Sequence, residues 1–202
     1  PIFSLGGFIE LLEDEDLDDE ERARFIAQLR EQTDRLHKLA IDLLDLSKLE
    51  AGSLELRPEA VDVAELTRSV AAEFEPALAH HDSHLELRLG RGPKEAMCDP
   101  VRVAQVLRIL IDNALVHTSE GTDIVVIAAR EDGAMRLSVR DHGAGIRRAD
   151  VGRIFEPFFT SNGTQGSGLG LAIASELAER MAGHLAVDST AGRTTFTLEI
   201  PA

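Results

Sequence analysis

Between Phe25 and Leu46 the residues Phe25, Leu29, Gln32, Leu36, Leu39, Leu43 and Leu46 advance by alternating steps of four and three. That spacing is a heptad seam, which holds one stripe of a helix against a neighbouring helix and which no strand can present. Just upstream, Ile2, Leu5, Ile9 and Leu12 also step by three and four, so this end of the chain reads as a helical hairpin. The run Glu13–Glu21 between the two helices is almost wholly acidic and reads as a solvated loop. Its end holds a helix start, because Asp18 followed by Glu21 fits a capping box. One seam per helix leaves apolar surface over in a single hairpin. Two copies pairing into a four-helix bundle would cover it, so a homodimer is expected.

Ala51-Gly52-Ser53 ends the long helix, and the pattern changes. Residues 1–52 are expected to form the hairpin and residues 53–202 a second domain. SLELRPEAVDV reads as a short strand leading into a helix over about 63–79, and HLELRLG as a strand. Asp99-Pro100 opens a helix that lasts to about Val116. TDIVVIAAR and AMRLSVRD read as strands joined at Glu131-Asp132-Gly133, and HLAVDST with TTFTLEIP as a closing hairpin. The fold expected is α+β, the hairpin being followed by an α/β sandwich with a mixed sheet and helices on one face.

Hydrophobic residues make up 44% of the 202, enough for a core, but aromatics only 4%, so aliphatic packing must dominate. A net charge of −15 disfavours nucleic acid and anionic membrane surfaces as partners. Cys98 is the one cysteine, so no internal disulfide can form and a reducing, cytoplasmic compartment fits. No run is long and apolar enough to span a bilayer, and no signal peptide is visible. The chain begins at Pro1 without methionine and is expected to be a fragment, with any membrane attachment lying outside it.

Four glycines sit within GTQGSGLG, residues 163–170, directly before an apolar helix. Glycine weakens helices, so such a cluster at a helix entrance needs a reason. It is either a hinge or a backbone that phosphate can approach, since a helix start offers free N–H groups and a partial positive charge. The loop lacks the Gly-Lys-Ser/Thr of a Walker A sequence, and Gly166-x-Gly168-x-Gly170 is not the dinucleotide fingerprint. In the helix before it, Val103, Leu107, Leu110 and Ala114 make one apolar face, while Ile109, Asn113 and His117 lie four apart on another stripe. Asn113 is either a satisfied structural amide or a neutral oxygen ligand for a hard cation such as Mg²⁺. Asp141-His-Gly-Ala-Gly145 is either a strand-exit turn or an acceptor beside a flat ligand that donates an N–H. Ile154–Phe159 puts three phenylalanines into five residues and reads as core or as the hinge of a lid.

In this order, NA at 113–114, DHGAGI at 141–146, IFEPFF at 154–159 and GSGLGL at 166–171 resemble the N, G1, F and G2 boxes of sensor histidine kinases. LLDLSKLEAGSLELRPEAVDVAEL resembles the family's passage from dimerisation hairpin to ATP domain. The resemblance spans essentially the whole chain and implies a Bergerat-type ATP-binding fold that takes ATP with Mg²⁺. It implies that Asp141 accepts from the adenine amino group, that Asn113 ligates Mg²⁺, and that Gly143, Gly145 and Ile146 line the adenine. It implies that Gly166, Gly168, Leu169, Gly170 and Leu171 carry the triphosphate onto the following helix, with His117 at the nucleotide mouth. The activity implied is transfer of the ATP γ-phosphoryl group to a histidine and then to the aspartate of a response-regulator receiver domain.

The departures from the family pattern bear on that activity. Pro1 resembles the proline that follows the phosphoacceptor histidine, which is therefore expected before this chain, leaving no catalytic residue of that kind within it. His37 is not a substitute, and His80, His81 and His84 lack the spacing of a metal site. Ile109 stands near where related ATP-hydrolysing chaperones and topoisomerases carry a glutamate base, so water activation is not supported. Val116 stands where a Lys or Arg is common, and Phe158–Gly170 contains no Lys or Arg. A dimeric nucleotide-binding regulatory module with weak or no phosphotransfer is the alternative. An anti-sigma-type serine kinase has the same ATP fold but no heptad hairpin in front.

Overall fold

A computed structural model describes residues 7, 12, 17–90, 95–131, 133–160 and 166–201. The chain forms two compact units, Pro1–Ser47 and Lys48–Ala202. Helix α1 (Asp19–Glu50) makes up most of the described first unit. Its capping box is formed in both directions: Glu21 N–H donates to Asp18 Oδ1 at 2.7 Å, and Asp18 N–H to Glu21 Oε2 at 3.3 Å. Along the heptad stripe Phe25, Leu29, Gln32, Leu36 and Leu39 are half-buried. Ile26, Ile41, Leu43 and Leu44 remain exposed, Leu44 by 60%. The expected first helix lies outside the described residues except at Gly7 and Leu12, both helical, and so does the first part of the acidic run, residues 13–16.

The last turn of α1 belongs to the second unit. It closes with Gly52 in the left-handed region (φ +67), where glycine avoids a Cβ clash. Ser53 N–H donates to Lys48 O and Gly52 N–H to Leu49 O, the two bonds of a Schellman motif. There follow β1 (Glu59–Asp62), α2 (Val63–Glu73), α3 (Glu75–His80), β2 (Leu85–Leu89), β3 (Glu95–Cys98), α4 (Pro100–His117), β4 (Ile124–Glu131), β5 (Ala134–Asp141), α5 (Gly170–Arg180), β6 (His184–Thr190) and β7 (Arg193–Pro201). Five strands form one sheet in the order β2-β4-β5-β7-β6, with β2 parallel to β4 and every other pair antiparallel. The mixed sheet is as expected. The single helix expected over 63–79 is interrupted at Phe74, where Pro76 in the first turn of α3 has no N–H to continue the ladder. The strand β3 was not expected; it pairs with β1 as a separate two-stranded antiparallel ribbon.

Packing is aliphatic. Val103, Leu107, Leu110 and Ala114 of α4 are all buried, as their spacing predicts, and Met135, Leu137 and Val139 alternate inward along β5. Asp62 caps α2 by accepting from Ala64 N and Glu65 N. Asp99 caps α4 through Oδ1, from Val101 N and Arg102 N, while its Oδ2 takes Arg57 N–H at 2.9 Å. That threefold satisfaction is what lets a carboxylate sit in the interior. Among the described residues no helix is long and apolar enough to cross a membrane.

Candidate functional site

Helix α4 is the spine of the site, and two glycines locate what lies against it. A Cβ placed on Gly143, in the turn after β5, would stand 2.9 Å from Thr118 Cγ2 and 3.4 Å from the His117 carbonyl. The DHGAGI turn therefore abuts the C-terminal end of α4. A Cβ on Gly170, the first residue of α5, would stand 3.3 Å from Ile109 Cγ2. The start of α5 therefore abuts α4 two turns earlier. Asn113, half-buried, lies midway between Ile109 and His117 on the same stripe. The stripe from 109 to 117 is about 12 Å long at helical rise.

At the His117 end, Asp141 is the last residue of β5 and is 7% exposed. Its Oδ1 accepts the Gly143 N–H at 2.9 Å, an Asx-type turn. Burial raises the Asp141 carboxyl above the ordinary carboxylate range, against the pull of the Gly143 N–H and of His142 and His117. Part of the His117 side chain reaches solvent, yet burial of the ring lowers its pKa, with Asp141 and Asp112 opposing. A carboxylate and an imidazole thus share this end of the helix, the imidazole favoured neutral.

The glycines divide into two groups. Gly145 (φ +82) would place a Cβ 2.3 Å from Thr190 O, and the Ile146 N–H donates to Ser189 Oγ at 2.8 Å. Those two residues fasten the turn to the β6–β7 hairpin, so the space at Gly145 is taken by backbone and not by a flat ligand. Gly168 (φ +68) would place a Cβ 2.7 Å from Phe158 C, so its missing side chain also makes room for the protein itself. Leu169 is wholly buried, and its N–H is taken by Ser167 Oγ at 3.2 Å. Among the described residues nothing lies within 4 Å of the Cβ direction of Gly166 (φ +102), and Leu171 is half-buried. Unlike α2 and α4, α5 has no side-chain hydrogen bond at its N-cap, and like α4 it has no acidic residue in its first turn. Its N–H groups and dipole are left for an anion. Ser161–Gln165 of the expected lid lie outside the described residues.

Ser189 and Thr194 were not anticipated from the sequence. Thr194 is 4% exposed, stands opposite Asp141 in the β5·β7 ladder, and shares a 3.1 Å hydroxyl contact with Ser189. Only strand pairing brings them here; a Ser and a Thr near a hairpin carry no signal of their own. Two of the three arginines after the turn are engaged: Arg147 Nε donates to Asp150 Oδ2 at 2.6 Å, and Arg153 lies 4.6 Å from the Phe159 ring centroid and pairs with Glu156, while Arg148 is exposed. Among the described residues no three His, Cys, Asp or Glu side chains gather into a metal cage. A separate cleft of about 420 Å³, lined in part by Ala71, Leu78, Leu85 and Leu87, contains none of the site residues.

Residues 98–202 match the model of the histidine kinase-, DNA gyrase B-, and HSP90-like ATPases, and residues 1–52 match the His Kinase A (phospho-acceptor) domain. The chain belongs to the sensor histidine kinases of two-component systems. Sensor histidine kinase RcsC of Escherichia coli (strain K12) is 32% identical over 209 residues, which is 100% of this chain and 22% of the relative. Virulence sensor protein BvgS of Bordetella bronchiseptica is 31% identical over 211 residues, 99% of this chain and 17% of the relative. The chain thus spans a minor part of the curated relatives it matches. Among solved structures, the histidine kinase AdeS of Acinetobacter baumannii superposes with TM-score 0.83 at 28% identity, covering 100% of this chain and 94% of that one. Full-length ShkA, solved in complex with AMPPNP, gives TM-score 0.77 at 31% identity, covering 99% of this chain and 44% of that one. ThkA, solved with response regulator protein TrrA, gives TM-score 0.84 at 26% identity, covering 100% and 57%.

Proposed function

We propose that this sensor histidine kinase chain is a dimerising kinase core that binds ATP with Mg²⁺ along α4, with the adenine at Asp141 and the phosphates at the start of α5. Residues 1–52 serve as the dimerisation hairpin and residues 53–202 as the catalytic domain. The observation that carries the reading is the contact of one helix with both ends of the site: Gly143 against Thr118 and Gly170 against Ile109, with Asn113 between. The spacing of about 12 Å suits a nucleotide laid along α4.

The roles follow from the surroundings of each residue. Asp141 has spent one carboxylate oxygen on Gly143, and its remaining acceptor capacity takes the adenine N–H. Ser189 and Thr194 hold the turn that positions it. Asn113, a neutral oxygen donor, would hold the cation together with phosphate oxygens, since among the described residues no carboxylate cage is near. Mg²⁺ bound there neutralises charge on the phosphates. The uncapped N–H groups of Gly170 and Leu171 receive phosphate, and Gly166 is where backbone can approach it. Ile109 beside the phosphate end gives no base for water, which favours a side-chain nucleophile over hydrolysis. A histidine nitrogen attacks the γ-phosphorus as the bond to the ADP oxygen breaks, and the phosphoryl group passes next to an aspartate of a receiver domain. The ThkA complex with its response regulator supports that partner. The exposed stripe Ile26, Ile41 and Leu44 supports the homodimer. Use of ATP and the lone buried Cys98 fit the cytoplasm, with any membrane attachment made through segments outside this chain.

Calorimetry with ADP and ATP in Mg²⁺ tests the site, and acid-labile phosphate on histidine in the full protein tests the transfer. Binding without transfer would favour the regulatory module, a reading that Val116 and the engaged arginines support.

A further inference from the structure

We propose that Arg180 is a latch that ties the last turn of α1 to the far end of α5, making it a positioning residue for the junction into the nucleotide-binding domain. Arg180 Nη2 donates to the carbonyl of Leu49, and its Nε donates to Glu176 Oε1 at 3.2 Å. All three residues belong to the second compact unit. The Leu49 carbonyl is one of the acceptors a helix C-terminus leaves without an intrahelical partner. It receives the Gly52 N–H at 3.0 Å as well, so the guanidinium completes its coordination. The Leu49 side chain is 1% exposed, so the turn is anchored by apolar packing on one side and by Arg180 on the other.

The chemistry suits arginine. Its planar fork serves two acceptors at once, while a lysine ammonium on a flexible stem holds them less firmly. The charge lies in the last turn of α5 and at the last turn of α1, so both helix dipoles favour it. The Arg180 side chain is 26% exposed, which limits the competition from water that weakens surface pairs. At the level of sequence Arg180 reads as an ordinary C-terminal helix cation, and only the fold shows that it bonds a carbonyl 131 positions away.

The consequence rests on the proposed nucleotide site, although the latch itself does not. Helix α5 has Gly170 at one end and Arg180 at the other. Phosphate that orders the start of α5 therefore also steadies the residue holding α1, and by reciprocity a closed latch favours the ordered helix.

Hydrogen exchange on the unmutated chain, Arg180→Ala, Arg180→Lys and Glu176→Gln tests this. In Arg180→Ala the Gly52 and Ser53 amides should exchange about tenfold faster or more, the loss expected for a charged hydrogen bond. Trypsin should cut the Lys48–Leu49 bond faster, and ADP affinity should fall by no more than the factor by which Mg·ADP slows exchange at these amides in the unmutated chain. Arg180→Lys should fall between the two, and Glu176→Gln should loosen the same amides by a smaller factor. Added Mg·ADP should slow exchange at Gly52 and Ser53 in the unmutated chain and not in Arg180→Ala. Equal exchange at these amides in the unmutated chain and a folded Arg180→Ala overturns the proposal. If Arg180→Ala does not fold, Glu176→Gln and Arg180→Lys decide: faster exchange supports the latch and unchanged exchange refutes it. Failure of ADP to bind the unmutated chain refutes the nucleotide site and leaves the comparison of exchange rates standing.

Discussion

Phe158 and Gly168 occupy each other's backbone space: the Phe158 N–H donates to Gly168 O at 2.9 Å, and a Cβ on Gly168 would stand 2.7 Å from Phe158 C. Phe158 itself holds φ +64, a conformation that L side chains adopt only under compulsion, at about 1–3 kcal/mol. Gly168→Ala adds a backbone clash to its own positive φ, and should destabilise the fold by more than about 2 kcal/mol. Gly166→Ala meets no neighbour among the described residues, so it should lose only about 1–2 kcal/mol to its φ of +102 while weakening nucleotide binding. Thermal unfolding of the two variants checks this. A larger loss in Gly166→Ala than in Gly168→Ala would mean that the packing account of these glycines is wrong.

That contrast marks how far the site was legible in the sequence. Periodicity alone placed α4, its buried face and the stripe Ile109–Asn113–His117, because helix geometry fixes which residues share a side. The glycines announced a close approach but not what approaches. At Gly145 and Gly168 the visitor is the protein's own backbone, brought by strand pairing and loop packing at long sequence separation. Ser189 and Thr194 stayed hidden for the same reason. The break at Phe74 was readable, since Pro76 removes a donor, while β3 exists through its pairing with β1 and has only four residues to announce itself.

Asp141 makes nucleotide binding acid-sensitive. Burial raises its carboxyl, so protons return to it at a higher pH than to an ordinary carboxylate. Its protonated form has lost the acceptor strength that an adenine N–H needs, so ADP affinity should fall as pH is lowered, starting above the ordinary carboxylate range near about 3.9. Stability runs the other way: the native state binds the extra proton, so this group's contribution is fully present below the unfolded pKa and is lost as pH rises through the folded one. Asp141→Asn should weaken ADP by roughly 1–3 kcal/mol and flatten the profile. Calorimetry across the acid range that finds parallel profiles for both proteins would remove Asp141 from the site.

Cys98 should be inert. It is 3% exposed, and burial, with Asp99 and Glu59 nearby, pushes its thiol up to about 11. The thiolate is the reactive form, so at neutral pH a disulfide reagent should label Cys98 only as fast as the domain opens. Rapid stoichiometric labelling of the folded chain contradicts this.

The exposed stripe on α1 should be the dimer contact. Leu36 is half-buried within the chain, but Leu44 is 60% exposed with Ile41 and Leu43 beside it. Leu44→Asp should give a folded monomer because its charge would be buried only on association, whereas Leu36→Asp should also loosen α1 itself. Light scattering with circular dichroism separates the two effects. A monomeric unmutated chain at micromolar concentration removes the premise.

The phosphate end should hold ATP little better than ADP. Val116, one residue before His117, stands partly exposed where a cation is common in the family. Arg147 is paired with Asp150, and Arg153 is paired with Glu156 and stacked on Phe159, so neither is loose to serve a phosphate; Arg148 between them is exposed and turned to solvent on this reading. What remains is Mg²⁺ at Asn113, the open N–H groups of α5 and its dipole. A helix terminus contributes about 0.3–1 kcal/mol toward an anion when exposed, less than the roughly 1.5–3 of a charged hydrogen bond. ATP and ADP should therefore bind within about tenfold of each other, or about 1.4 kcal/mol. Val116→Lys adds an ammonium three residues after Asn113 on the same helix, within side-chain reach of the phosphates around a cation held there, and should raise affinity for ATP more than for ADP. A preference of about a hundredfold for ATP in the unmutated chain, roughly 2.8 kcal/mol, would require a cation at the γ-phosphate, and Arg148 would be the first candidate. Competition calorimetry of the two nucleotides on both proteins decides it.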